Sequence, residues 1–187
     1  MNTPDYDKFP EDVLSLATGL IEELGFSDKE LAVLEAAIAE GQDETHFQTL
    51  EFTYLGEPKA QARARHSRFT NHFFDPSQSL KAWLVEQIQS QLPPDFKPLD
   101  TSIEMHCVFY KGIPKSASKK NRVLMELGII KCITKPDLDN YVKLVQDALN
   151  KVLYTDDSVI TTLSAEKYYS CKPRAKITLR FKKLPGV

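Results

Sequence analysis

Apolar residues recur at two different periods along this chain, and the period changes near residue 50. Residues 10–41 repeat apolar positions at helical spacing, which predicts a helical hairpin. Gly25 stands between its two halves as a stop signal, and Ser27 precedes Glu30 by three residues, as in a capping box. Beyond residue 50, short segments of alternating apolar and polar residues predict strands, and helical patterns separate them.

The second part of the chain reads as strand, helix, strand, helix, strand, strand. The strands are predicted over 50–55, 102–110, 158–170 and 173–181, the helices over 77–92 and 137–153, and a further short helix over 122–130. Two long helices suffice to cover one face of the sheet. The expected fold is therefore a two-layer α+β domain over residues 50–187, preceded by an acidic helical extension over residues 1–49.

The composition is that of a globular protein, with 42% hydrophobic and 27% charged residues among 187. No apolar run approaches the roughly 18 residues that span a bilayer, and the N-terminus lacks the features of a signal peptide. We therefore expect a cytoplasmic protein without a membrane partner. The three cysteines are widely spaced and form neither a disulfide framework nor a CxxC metal pair.

The net charge of −2 hides a strong asymmetry between the two parts. Residues 1–49 contain 12 Asp and Glu against two Lys, whereas residues 50–187 contain 14 acidic and 22 basic residues. A basic domain favours binding to a polyanion, because neutralised phosphates release counterions. The alternative is that surface lysines simply outnumber carboxylates there.

The basic residues concentrate in two predicted loops. Arginine grips phosphates, and the phenylalanines interleaved in the first loop could stack on unpaired bases or pack in the core. Glycine, proline and serines in the second loop, residues 111–122, indicate a segment that orders on DNA. The candidate DNA-binding residues are Lys59, Arg63, Arg65, Arg68, Lys115, Lys119, Lys120, Arg122 and Lys135.

Two acidic pairs flank the most regular helix. Asp137 and Asp139 bracket Leu138 at its start, and Asp156 and Asp157 follow its end. Carboxylates at such spacing repel unless a cation lies between them, and Mg²⁺ is the usual cation where phosphates are the substrate. The alternatives are a helix cap for the first pair, which needs only one Asp, and turn chemistry for the second. The pattern favours a metal-dependent reaction on phosphodiesters.

Two points stay open on the residues alone. Lys143, four residues after Asp139, could neutralise a phosphate or form an ordinary helical ion pair with Asp139 or Asp147. The helix is about 20 Å long, so the spacing does not prove that the two acidic pairs converge.

The run KPDLDNYVKLVQDALNKVLYTDDSVITTLSAEKYYS resembles the signature of RusA-type Holliday junction resolvases, which are common in phages and prophages. A strand ending in GEP, an ARAR-like basic loop and PKSASKK fit upstream, so the resemblance spans about residues 50–183. It implies a homodimer that binds branched double-stranded DNA and makes paired symmetric nicks with Mg²⁺, or alternatively Mn²⁺. The implied catalytic residues are Asp137, Asp139 and Asp157 with Lys143 assisting, and the implied metal ligands are Asp137, Asp139, Asp156 and Asp157.

Alternatives remain for the substrate and for the extension. The protein could cut flaps or other branched DNA, or it could be an inactive DNA-binding module. The acidic helical extension, which compact members of the family lack, could shield the basic face or lengthen a dimer contact.

Overall fold

The computed structural model describes residues 3–43, 47–62, 65–66, 73–74 and 76–182, the two short pairs by their backbone alone. The described residues form two compact units, one containing the chain up to Gln48 together with Lys182, the other Thr49–Phe181. Within the described part of the chain, no helix is both long and apolar enough to cross a membrane.

The first unit contains the two predicted helices, α1 (Glu11–Leu24) and α2 (Asp28–Gln42). Gly25 ends α1 in the left-handed region with φ 65°, and Ser27 begins α2 with the predicted capping box. The apolar stripe of α1 is not covered by other described residues: none of its side chains is buried, and Leu16 is 76% exposed.

The second unit follows the predicted order of strands and helices. It contains β1 (Gln48–Leu55), β2 (Arg65–His66), β3 (Phe73–Phe74), α3 (Gln78–Gln89), β4 (Ile103–Gly112), α4 (Lys119–Glu126), α5 (Leu138–Leu149), β5 (Ile160–Ser170) and β6 (Arg174–Phe181). Strands β2 and β3 form a short antiparallel pair within the first basic loop, which the sequence pattern did not predict.

The main sheet has the order β1-β6-β4-β5, with β4 antiparallel to β6 and parallel to β5. Alternate residues of β4 are buried on the face that α3 and α5 cover. The apolar faces of these helices supply the other half of the core, including Leu84, Ile88, Tyr141, Val145 and Leu149. The predicted two-layer α+β class, with helices on one face of the sheet, is confirmed.

Helix α4 begins earlier than the sequence pattern predicts. The hydroxyl of Ser118 accepts a hydrogen bond from the Asn121 amide at 3.3 Å, and the capped helix begins at Lys119, three residues before the predicted start. Gly128 then adopts a φ of 71° just beyond its end. The predicted bounds 122–130 are therefore wrong, and part of the second basic loop is an exposed helix packed against β5.

Candidate active site and nucleic-acid interface

The segment before α5 presents the first acidic pair to solvent. Asp137 occupies the N-cap position with φ −71° and ψ 151°, but its side chain makes no capping hydrogen bond. Asp139 lies in the first turn, where its carboxylate accepts a 3.4 Å hydrogen bond from the Asn140 side chain. Both carboxylates are exposed. The capping alternative therefore does not account for Asp137, and both side chains are free to bind a ligand.

Two lysines hold this segment in place from the sheet. Lys167 of β5 donates to the carbonyl oxygens of Thr134 at 3.0 Å and Pro136 at 2.9 Å. Lys111 of β4 donates to the Thr134 hydroxyl at 3.2 Å and to the Lys135 carbonyl. We call Lys111 and Lys167 the lysine clamp. It fixes the three residues that precede Asp137.

Only part of the clamp was apparent from the sequence. Lys167 lies within the run that resembles the family signature, whereas the sequence pattern puts Lys111 in the second basic loop, residues 111–122. Alternate residues of a strand lie on the same face of the sheet, so Lys111 shares a face with the core residue Phe109. Phe109 pairs in register with Lys167, which places both lysines on this face. The alternation of side chains along β4 could therefore have identified Lys111 as a residue on the same face as Lys167. Nothing in the sequence pointed to Thr134 or to the Tyr169 hydroxyl 3.1 Å from it.

The two members of the second acidic pair have different surroundings. Asp156 caps the short 3-10 turn Asp157–Val159, where it accepts a hydrogen bond from the Ser158 amide at 3.1 Å. Its carboxylate also lies 3.4 Å from the Lys151 ammonium group. The hydrogen bonds from Ser158, with a smaller contribution from Lys151, lower the pKa of Asp156. Asp157 is exposed, and its carboxylate has no hydrogen-bond or ion-pair partner among the described residues.

The two acidic pairs lie at opposite ends of β5. At about 3.3 Å per residue, the strand covers roughly 23 Å between Ile160, beside the second pair, and Lys167, beside the first. Tyr154 lies near the end of α5, and its burial raises its pKa. The charges of Asp157 and Asp147 raise this pKa to a smaller extent, which agrees with a position of the second pair near that end of the helix. Among the residues that the structure describes, no three His, Cys, Asp or Glu side chains form a group that could hold a metal. One chain therefore does not bring all four carboxylates to one point.

Lys143 takes part in the helical ion pair that the sequence left open. Its ammonium group is 3.8 Å from Asp147, which Lys81 of α3 contacts at 2.9 Å. The Lys143 side chain is 62% exposed. Because Lys81 already neutralises Asp147 at the shorter distance, Lys143 can leave this pair at little cost.

The basic residues that the structure describes are available to a polyanion. Lys59, Lys115, Lys119, Lys120, Arg122 and Lys135 are exposed. Arg63 and Arg68 lie outside the described residues, and Arg65 is described by its backbone alone. The first basic loop leaves the sheet beside the acidic segment, because the Gln61 amide donates to the Asn140 carbonyl at 2.8 Å.

The first acidic pair fits a Mg²⁺ ion. Magnesium takes oxygen ligands and is commonly held by one or two carboxylates together with substrate phosphates. Asp137 and Asp139 offer such carboxylates at a helix N-terminus, where backbone amides and the helix dipole also favour phosphate. The arrangement can therefore hold a cation and a phosphate side by side.

Comparison with known proteins agrees with this chemistry. The family description Endodeoxyribonuclease RusA matches residues 56–180, which include the lysine clamp and both acidic pairs. The chain is also 39% identical over 137 residues to the uncharacterized protein YqaN of Bacillus subtilis (strain 168), an alignment that covers 70% of this chain and 95% of YqaN. The chain belongs to the RusA family of endodeoxyribonucleases, the RusA-type Holliday junction resolvases.

Proposed function

We propose that this protein is a Mg²⁺-dependent endonuclease that resolves four-way DNA junctions in the cytoplasm by paired symmetric nicks. The observation that carries the proposal is the pair of exposed carboxylates, Asp137 and Asp139, held at the start of α5 by the lysine clamp. Such a pair repels itself unless a cation lies between its members. The exposed Lys135 precedes the pair by two residues, and the Gln61–Asn140 hydrogen bond brings the start of the first basic loop beside it, which supports a DNA phosphate as the substrate.

The residues of this site have separate roles. Asp137 and Asp139 would hold Mg²⁺, with Mn²⁺ as an alternative, and the clamp keeps the segment that carries Asp137 from moving as DNA binds. The ion held there would supply activation of a water molecule and stabilisation of charge on the departing oxygen. Lys143 lies one turn beyond Asp139, and on DNA binding its ammonium group moves from Asp147 to a phosphate.

The working enzyme is a homodimer in which each protomer completes the other's site. The Asp157 carboxylate is exposed and has no partner among the described residues, yet it lies at the far end of β5 from Asp137. A two-fold axis carries Asp157 of one protomer to the first acidic pair of the other and creates two equivalent sites. Two symmetric sites account for paired nicks in a symmetric substrate. Asp156, which Ser158 and Lys151 already engage, orients this turn and contributes to the metal site through its remaining oxygen lone pairs.

The substrate is tested by cleavage of a labelled four-way junction beside a flap, a fork and a linear duplex of equal length. We expect two nicks at symmetric positions in the junction and slower cutting of the other substrates. Preferential cutting of the flap would replace junction resolution with flap cleavage. Tight binding without cutting in any divalent metal would instead leave a DNA-binding module.

A further inference from the structure

Strand β5 has one side that no described strand pairs with. It lies at the end of the order β1-β6-β4-β5, and β4 is its neighbour on the other side. Its first half, residues 160–165, reads ITTLSA and contains no charged residue, proline or glycine. The side chains from Thr161 to Ser164 are exposed. Edge strands are usually protected by charges, proline or a covering segment, because their free backbone groups attract another strand. We call residues 160–165 the open edge.

The second half of β5, by contrast, contacts another part of the chain. Glu126 at the end of α4 accepts a hydrogen bond from the Ser170 hydroxyl at 2.9 Å. The Thr134 carbonyl accepts one from Lys167 at 3.0 Å. Residues 126–134 therefore run beside this half of the strand and lead into the first acidic pair. The exposed stretch of β5 stops short of the residues that hold that pair.

The backbone of the open edge directs hydrogen-bonding groups away from the sheet. The Ile113 amide, just beyond β4, donates to the Ser170 carbonyl at 3.3 Å, so Ser170 directs its backbone groups toward β4. Successive residues of a strand direct these groups to opposite sides. The pairing of β5 with β4 has no register shift from Thr162 to Ser170. Leu163 and Ala165 therefore direct their amide and carbonyl groups outward, where no described strand accepts or donates to them.

Leu163 is the point about which the open edge can pair with a second copy of itself. Its side chain is 48% exposed on the helix-covered face of the sheet, since it pairs in register with the core residue Met105. A two-fold axis perpendicular to the sheet runs the two strands antiparallel and keeps each face on its own side. With the axis at Leu163, the two leucines lie opposite each other and exchange backbone hydrogen bonds, and Thr161 lies opposite Ala165. No two charged side chains oppose each other along the open edge, so nothing in it repels a second copy.

This pairing brings together the two acidic pairs that one chain keeps apart. Asp157 lies six residues before Leu163, and Tyr169 lies six residues after it. In an antiparallel pair about Leu163, Asp157 of one copy therefore comes level with Tyr169 of the other. The Tyr169 hydroxyl lies 3.1 Å from that of Thr134, at the lysine clamp. An axis chosen from the exposed leucine and the backbone directions alone thus carries Asp157 to the segment that holds the first acidic pair.

We propose that the open edges of two copies of this chain pair antiparallel across a two-fold axis at Leu163 and join the two four-stranded sheets into one. The inference rests on the proposed function, because it names the surface through which the homodimer shares its two sites. It assigns dimer formation to backbone hydrogen bonds between edge strands and to a small leucine contact. Charge at this one position should then control both assembly and cleavage.

The first test places charges at the axis and measures the dimer by sedimentation equilibrium. Leu163→Lys and Leu163→Glu should each raise the dissociation constant at least about 10-fold, because two like charges face each other across the axis. An equimolar mixture of the two variants should recover most of the affinity, since lysine then faces glutamate. The matched control is Lys176→Glu on β6, which lies between β1 and β4 and should dimerise as the wild type does. Thermal unfolding shows whether each variant is folded.

The second test fixes the register with a disulfide. Leu163→Cys is made in a chain whose exposed Cys171 is replaced by serine. Opposed residues of a hydrogen-bonded antiparallel pair have Cα atoms about 5.5 Å apart, which a disulfide spans. Mild oxidation should therefore give a covalent dimer that still cleaves the junction with Mg²⁺. Lys176→Cys in the same background should run as a monomer on a nonreducing gel.

A monomeric wild type, a dimer that both charged variants retain, or a mixture that stays as weak as its components would overturn the proposal. Junction cleavage with Mg²⁺ separates this failure from a failure of the proposed function. Cleavage at the wild-type rate by both charged variants would contradict the paired edges and leave the nuclease standing. Dimers that depend on Leu163 but cleave no branched DNA would contradict the nuclease and leave the interface standing.

Discussion

The ammonium group of Lys167 lies 2.9 Å from the carbonyl oxygen of Pro136 and ties the edge strand β5 to the residue directly before Asp137. A second bond, to the Thr134 carbonyl, attaches Lys167 at two points, and Lys111 adds two further bonds from the neighbouring strand. The position of the first acidic pair is thus set by the sheet as well as by α5. The clamp connects the core of the fold to the proposed chemistry.

Replacing Lys167 with methionine should slow cleavage at saturating DNA by about 10- to 100-fold, the range found when groups that orient metal ligands are removed. The side chain keeps its apolar stem but loses both hydrogen bonds to the segment. Stopped or quenched cleavage assays give the rate, and thermal unfolding shows whether the fold is retained. The matched control is Lys176→Met at an exposed position of β6, which should retain the wild-type rate. Equal rates for both variants would show that the clamp does not position the site.

Mixing two inactive variants tests whether the site is shared between protomers. Asp139→Asn and Asp157→Asn should each abolish cleavage as homodimers. In a mixed dimer, one site then contains both substitutions and the other contains neither, so nicking of one strand should return. If both carboxylates act within one chain, the mixture stays inactive, because every site retains one substitution.

Changing Lys119 and Lys120 together to alanine should weaken junction binding and flatten its salt dependence. Each lost phosphate contact reduces the slope of log affinity against log salt by about 0.9, so the double variant should lose up to about 2. Both side chains project from the exposed start of α4. Affinity measured over a range of salt concentrations gives the slope. An unchanged slope would remove α4 from the DNA-binding surface.

The three thiols should react at very different rates. Cys171 is exposed, whereas Cys107 and Cys132 are buried, and burial raises the pKa of Cys107 to about 12. At neutral pH a thiol reagent should therefore modify one cysteine quickly and the other two only after unfolding. Cys171→Ser should abolish the fast phase. A fast phase that persists in this variant would mean that one of the two buried thiols becomes accessible in the native state.

The sequence predicted correctly those helices and strands whose pattern lies within one segment of the chain. The helical periodicity over 137–153 predicted α5, and the alternation over 102–110 predicted β4. The start of α4 was misplaced because the Ser118 cap lies within a polar, basic run that reads as a loop.

Relationships between distant elements were harder to predict. The separation of the acidic pairs depends on the direction of β5 relative to α5, and no spacing within one segment encodes that direction. The clamp depends on register between β4 and β5, which places Lys111 and Lys167 on one face of the sheet. The exposed stripe of α1 shows a further limit, since helical periodicity identifies an apolar face without stating what covers it.

The most direct test of the central claim is cleavage of a labelled four-way junction by the wild type and by Asp139→Asn, each with Mg²⁺ and with EDTA, alongside a binding assay on the same DNA. We predict Mg²⁺-dependent symmetric nicking by the wild type, a loss of at least about 100-fold in the variant, and junction binding that the substitution leaves intact. Wild-type cleavage by Asp139→Asn, or cleavage that continues in EDTA, would contradict the assignment of the reaction to this acidic pair.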